Sequence, residues 1–444
     1  MFSSQKLSAL FLVVIISVFY SCTPGENAES NADFYSIDVV ESQDGWRLMV
    51  DGEPIMVNGM NWDYFPPGTN YEYVIWEESD EFIKEALAYE MRFLVDMGVN
   101  ALRIYTGIPP RWIEYIYDEF GIFTMLNHSF GRYGMMLDGE WVGDTDYADP
   151  RVREMLLAEV REMAEEFKGT RGLLLYLLGN ENNYGLFWGG AETENMPDDE
   201  FDELTEERAR AMYRLFNDGT LAMKEIDDTR PIAMANGDLL FMEQIVEEMP
   251  DIDIFGINVY RGVSFTDMYD RVKEEYGKPV LLTELGADAF NAKEYREDQY
   301  CQAYYKHGNW KEIYMYAAGL GLAGNSIGGF TFQFSDGWWK SGQTEDLDVH
   351  NTVASWANAG YQCDYVEGEN NMNEEWFGIM AKGMTDEDGF YELFPRAAYF
   401  MLKEAHKFDP YAEDATLEGL KHHFEQISLD EAVERAQRDN RATE

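Results

Sequence analysis

The feature that most limits how this chain can fold is a pattern. A short apolar run is followed by an amphipathic segment, and the alternation recurs along most of the 444 residues. A strand covered on both faces reads as an unbroken apolar run, and strands alternating with helical segments belong to a parallel sheet. The first run is "WRLMVDGEPIMVNG" (46–59), where Asp51-Gly52 marks a hairpin and the second arm leads into "MNWDYF". The others are "NALRIYTG" (100–107), "IFTMLNHSF" (122–130), "LLLYLLGN" (173–180), "PIAMANG" (231–237), "IDIFGINVY" (252–260), "KPVLLTELG" (278–286) and "GGFTFQFSDGWW" (328–339).

The segments between them carry helix punctuation. An amphipathic stretch from Asp80 to Met97 is closed by Gly98. Pro109-Pro110 opens the next, and Asp149-Pro150 caps a long helix ending at Phe167. Further helices are predicted at about 198–226, 239–248, from a Ser264 cap to 277, 297–320 and 394–408. Eight strand-then-helix units in order predict closure into a (β/α)8 TIM barrel of the α/β class. It has an N-terminal β-hairpin and a long loop after strand eight, at about 340–391. A doubly wound open sheet would need a glycine-rich phosphate loop, and none is present.

Residues 1–21 read as a leader. Lys6 precedes the apolar stretch Leu7–Tyr20, too short to span a bilayer comfortably. Ser21-Cys22 then resembles a lipoprotein cleavage site, which makes Cys22 the expected point of lipid attachment and 22–34 a flexible tether. The predicted organisation continues with a catalytic barrel over 35–410 and a helical tail over 411–444. The expected location is the cell envelope or surface through a lipid anchor, or otherwise the periplasm or medium. Cys301 and Cys363 can pair in an exported protein or stand as two buried thiols, and their spacing leaves both open. With 84 acidic against 34 basic residues, the formal charge of -50 excludes a nucleic-acid partner. It also disfavours a polyanionic substrate unless a local basic patch receives it. Membrane contact is expected only through the anchor.

A barrel gathers the C-terminal ends of its strands at one mouth. Here those ends carry Arg103 and Tyr105, Asn127 and His128, Asn180 to Asn183, Asn258 and Tyr260, Glu284, and then Gln333, Asp336, Trp338 and Trp339. Glu181 on strand four and Glu284 on strand seven face each other across an eight-membered ring. Glycoside hydrolysis needs such a pair, one acid for the leaving oxygen and one carboxylate for the anomeric centre. Arg103 and Tyr260 are the expected hydrogen-bond donors to Glu284, and Asn180 is placed for a sugar hydroxyl. Trp338 and Trp188 are candidate sugar platforms, since sugar C–H faces pack on aromatic rings. His128 has two readings, a ligand for a sugar hydroxyl or a satisfied polar group behind the site. Asp336 and Asp288 read as loop-structuring. No cofactor is implied, and six histidines, mostly away from strand ends, give no metal set.

"GNEN" after strand four and "LLTELGAD" after strand seven resemble the retaining glycoside hydrolases of clan A. "GEPIMVNGMNW", "KPVLLTELGADAF" and "FPRAAYFMLKEAH" are most similar to the barrel domain of glycoside hydrolase family 2, over about residues 45–410. The resemblance implies Glu181 as acid/base and Glu284 as nucleophile in a double displacement with net retention, and the expected substrate is a neutral poly- or oligosaccharide. "NALRIYTG" also looks like clan members acting on β-1,3-glucans, as glucanases or glucanosyltransferases. A non-catalytic surface glycan-binding barrel is the alternative of a different kind. The jelly-roll and immunoglobulin-like domains usual before a family 2 barrel have no counterpart in the short stretch between tether and first hairpin.

Overall fold

The computed structural model describes residues 35–105, 107–186 and 203–441. The leader, Cys22, the tether and Trp188 lie outside the described residues. Eight parallel strands form the predicted barrel. They are Val57–Asn61, Ala101–Ile104, Phe123–His128, Leu173–Leu178, a fifth in two pieces, Phe255–Val259, Val280–Gly286 and Ser326–Phe332. The fifth strand closes the ring. Its first piece, Ile232–Met234, pairs with strand four, and its second, Asn236–Gly237, pairs with strand six. Strand eight pairs with strand one.

Eight helices follow the strands in turn: α1 (Asp80–Met97), α2 (Pro110–Phe120), α3 (Pro150–Phe167), α4 (Glu203–Lys224), α5 (Met242–Glu248), α6 (Met268–Glu275), α7 (Gln299–Met315) and α8 (Ala397–Ala405). Ser79 caps α1, Asp149 caps α3, and left-handed Gly98 and Gly121 end α1 and α2. Ser264 does not cap α6. Its hydroxyl takes the N–H of Thr266, and the helix begins only after Asp267.

Side chains alternate across each strand, so each strand sorts its residues between two packing layers. Leu102, Ile104, Leu126, Phe255, Ile257 and Val259 face outward into the core shared with the helices. Val57, Ala101, Met125, Ala233 and Phe330 pack inside the barrel. Tyr35, Ile37 and Leu48 join that inner cluster from below. They belong to a three-stranded antiparallel sheet, Ile37–Ser42, Gly45–Val50 and Glu53–Ile55. The predicted hairpin at Asp51-Gly52 joins the second and third of these strands, and the first strand is an addition to it.

The long segment after strand eight has a buried core of its own against the barrel. Trp356, Tyr361, Met372 and Phe377 form a buried cluster with Ala287, Tyr305 and Phe332 of the barrel. Met380–Lys382 pairs with Leu393–Pro395, and a Cys301–Cys363 disulfide ties the segment to α7. The tail forms α9 (Leu417–Glu425) and α10 (Leu429–Arg441), and it buries Leu420, Phe424 and Ala436 in the helix-layer core. No helix among the described residues is long and apolar enough to cross a membrane.

The disulfide spans 62 residues. Loop-closure entropy for that length is worth about 4 kcal/mol. Cys363→Ser should lower the unfolding free energy by about that amount, read from the urea midpoint. An unchanged midpoint would mean that packing alone holds the segment.

Candidate active site

The inward-facing positions of the strands turn polar at the mouth. Two residues beyond Ala101, on the same face, stands Arg103, with none of its side chain exposed. A buried guanidinium must have its donors answered. Nε donates to Asn127 Oδ1 at 2.9 Å and Nη2 to Asn180 Oδ1 at 2.8 Å. Nη1 donates to Glu284 Oε1 at 2.9 Å and to the Thr283 carbonyl at 3.1 Å. One side chain thus links strands two, three and seven with the turn after strand four.

Glu284 receives two more donors. The Tyr105 hydroxyl bonds Oε1, and the Tyr260 hydroxyl bonds Oε2 at 2.8 Å. Tyr105 in turn accepts from Asn61 Nδ2 at 2.6 Å, which leaves its own proton for Glu284. Three donors thus surround the two oxygens of this carboxyl group.

Glu181 sits otherwise. Its oxygen accepts a single side-chain bond, from Asn258 Nδ2 at 3.0 Å. Burial pushes its carboxyl up to about 7, and the Glu284 charge adds to the rise. The Asn258 hydrogen bond and the Arg132 and Arg103 charges oppose it. Asn258 joins the two acids, because its Oδ1 lies 3.4 Å from Arg103 Nη1 and takes the Thr283 hydroxyl at 2.6 Å.

The turn that presents Glu181 explains its run of amides. Glu181 has φ 56, in the left-handed region that costs a non-glycine residue energy and recurs at functional sites. Its N–H is held by the Ala235 carbonyl at 2.8 Å, at the break in strand five. Asn182 folds back to accept the Asn180 N–H at 2.8 Å, and it donates to the Phe130 carbonyl and to Tyr147. A side chain on Gly179 would strike Asn182 Oδ1 at 2.5 Å. Asn183 exchanges two 2.8 Å bonds with Gly237. Asn180 and Glu181 therefore face the mouth, while Asn182 and Asn183 secure the turn.

His128 is not brought to the carboxylates. It shares a strand face with Leu126, which packs toward the helices, while Asn127 points inward to Arg103. Its Nδ1 accepts the Phe130 N–H at 3.1 Å, Nε2 lies 3.6 Å from Glu159 of α3, and burial pulls its pKa down to about 4. Strand eight ends at Phe332, so Trp338 stands in the following turn. It is stacked on His350 at 5.0 Å, with Trp376 on the far side of His350 at 3.9 Å. Asp336 is fully buried and bonds Arg396 through both oxygens, at 2.6 and 2.7 Å. Asp288 accepts the Asn373 N–H at 3.0 Å.

Three further residues at the mouth are not evident in the strand-end pattern. Arg132 donates to the Asn180 carbonyl at 3.0 Å, and the Tyr133 hydroxyl takes Asn180 Nδ2 at 2.8 Å. Both lie in the loop after strand three, past the apolar run. Lys340 follows strand eight, 3.6 Å from Glu374. Burial lowers its pKa, but Glu374, Tyr133 and Glu284 outweigh this and leave it raised. Among the described residues no three His, Cys, Asp or Glu side chains are arranged to hold a metal ion.

No protein-family model matches the chain, and neither does any curated protein. Solved structures do. A glycoside hydrolase family 2 β-galacturonidase from Eisenbergiella tayi bound to galacturonate is 15% identical over 85% of this chain and 55% of its own, with a TM-score of 0.50. A Bifidobacterium dentium β-glucuronidase complexed with coumarin-3-O-glucuronide is 16% identical over 84% and 49%, with a TM-score of 0.51. Bacteroides uniformis β-glucuronidase 2, covalently bound to cyclophellitol-6-carboxylate aziridine, is 14% identical over 84% and 37%, with a TM-score of 0.52. The chain spans about half the length of the first of these. At such identities the likeness is one of architecture: the chain has the TIM-barrel fold found in these β-galacturonidase and β-glucuronidase structures.

Proposed function

We propose that the chain is a retaining β-glycosidase that hydrolyses O-glycosidic bonds by double displacement. The observation that carries this reading is the unequal treatment of two acids in one mouth. Glu284 accepts from Arg103, Tyr105 and Tyr260, whereas Glu181 is buried with one amide donor and pushed up to about 7. Environments that separate two carboxyls in this way assign the acid and the nucleophile. A Glu284 oxygen attacks the anomeric carbon while Glu181 gives its proton to the departing oxygen, which leaves a glycosyl ester on Glu284. Glu181, now a carboxylate, takes a proton from water, and that water cleaves the ester and releases the sugar with its configuration kept.

Arg103 and Asn258 are positioning residues in this scheme, and Asn180, Tyr260, Trp338 and Trp188 are proposed substrate contacts. The proposed substrate is a neutral poly- or oligosaccharide, consistent with an acidic surface. A second reading, an acidic sugar, is favoured by Lys340, a cation whose charge acts on both Glu284 and Tyr133, and by the uronides bound in the similar structures. Aryl β-glucoside, β-galactoside, β-mannoside and β-glucuronide hydrolysed side by side separate the two. Attachment to the envelope through Cys22 is part of the proposal, tested by membrane fractionation of Cys22→Ala.

Glu181→Gln should lower kcat by about 10²–10⁴-fold on substrates with poor leaving groups. Glu284→Gln should abolish turnover while sugar binding persists, and NMR of the wild-type reaction should show the β-anomer as first product. Glu181 is protonated below about pH 7, so kcat/KM should fall as pH rises through that value. An alkaline limb that stays put in Glu181→Gln would assign the acid elsewhere.

A further inference from the structure

The loop after strand three carries a hairpin that the reaction scheme does not use. Met135–Leu137 pairs with Glu140–Val142 around an Asp138-Gly139 turn. Met136 stands opposite Trp141 in that register, and the two are 55% and 64% exposed. Tyr133, just before the hairpin, is 59% exposed although its hydroxyl is fixed to Asn180. Contiguous exposed apolar side chains on a soluble protein mark binding surfaces.

These rings are held in place before any ligand arrives. A side chain on Gly134 would meet the Trp141 ring at 2.8 Å, so the indole lies on the bare backbone between Tyr133 and the first strand of the hairpin. The Arg132 guanidinium sits 5.6 Å from the centre of the Tyr133 ring, and the same residue bonds the Asn180 carbonyl. At the far end, Arg151 of α3 bonds Asp138 of the turn at 2.7 Å. The surface is continuous with the proposed site, since Asn180 precedes Glu181. In the proposed scheme Glu181 protonates the leaving oxygen, and Asn180, its chain neighbour, holds the Tyr133 hydroxyl.

We propose that Tyr133, Met136 and Trp141 form a sugar-binding platform for the leaving-group part of the substrate, so that the ligand is a chain extending past the cleaved bond. Exposed rings of this kind take the C–H faces of neutral pyranose units. The inference rests on the glycosidase reading for its orientation, and it is tested by binding, which needs no turnover.

The full chain, Trp141→Ala, Trp141→Phe and Glu284→Gln are run in native gels containing soluble β-1,3-glucan, β-mannan, β-galactan or polygalacturonate. The wild type and Glu284→Gln should be retarded in at least one of the three neutral-glycan gels, and retardation by polygalacturonate alone overturns the neutral-sugar platform. Trp141→Ala should bind that neutral polymer at least tenfold more weakly, with Trp141→Phe recovering most of the loss. Retardation of Trp141→Ala equal to wild type overturns the platform, as does a wild type retarded in none of the gels. Retardation lost with Trp141, in a protein that hydrolyses nothing, keeps the platform and sinks the glycosidase. Hydrolysis with Trp141-independent binding does the reverse.

Discussion

A guanidinium without solvent stands at the centre of this molecule. Burying a charge is costly unless it is paired and its donors are met. Arg103 meets that condition only because four other segments deliver acceptors to it: Asn127 on strand three, Asn180 after strand four, and Thr283 and Glu284 on strand seven, with Asn258 on strand six close by. Asn127 lies on the neighbouring strand, but the acceptors on strand seven lie across the sheet and reach Arg103 only because it curls into a barrel. Closure depends on strand five, which breaks at Ala235 so that each half serves a different neighbour. The same break leaves the Ala235 carbonyl free to hold the Glu181 N–H. Barrel closure and placement of the proposed acid are thus one event.

The chemistry follows from what Arg103 touches and what it does not. It touches Glu284 directly and Glu181 only through Asn258. Burial beside one amide partner raises the Glu181 carboxyl, whereas Glu284 faces a guanidinium and two hydroxyls. The two glutamates in the same opening thus stand in different surroundings, as the proposed scheme requires of an acid and a nucleophile. Around them the packing is conservative. Asn182, Asn183, Asp336 and Arg396 all spend their polar groups on holding loops in position.

Much of this could be read from residue order. The barrel strands were legible as apolar runs because both of their faces are covered. Arg103, Tyr260 and Glu284 were legible because each interrupts such a run at its end. His128 shows where that reasoning stops. Polarity at a strand end says that a residue is near the mouth, but only parity along the strand says which way it points, and Leu126 shares its face. The Asp138-Gly139 turn carries a hairpin signal as clear as that at Asp51-Gly52, but its arms, Met135–Leu137 and Glu140–Val142, are three residues each and too short to read as strands. The long segment after strand eight reads as a loop because it lacks periodicity. Its core is built from scattered residues such as Trp356 and Phe377, and from a disulfide partner 62 residues away.

The central claim is that Glu284, held by Arg103 and two tyrosines, forms a covalent bond to the sugar. The most direct measurement is peptide mapping by mass spectrometry, after incubation with activated 2-deoxy-2-fluoro β-glycosides of gluco, galacto, manno and glucurono configuration. The account predicts one glycosyl unit esterified to the peptide containing Glu284, and none on that peptide in Glu284→Gln. A label on Glu181 or on another residue would contradict it, and so would substrate turnover with no ester on any peptide.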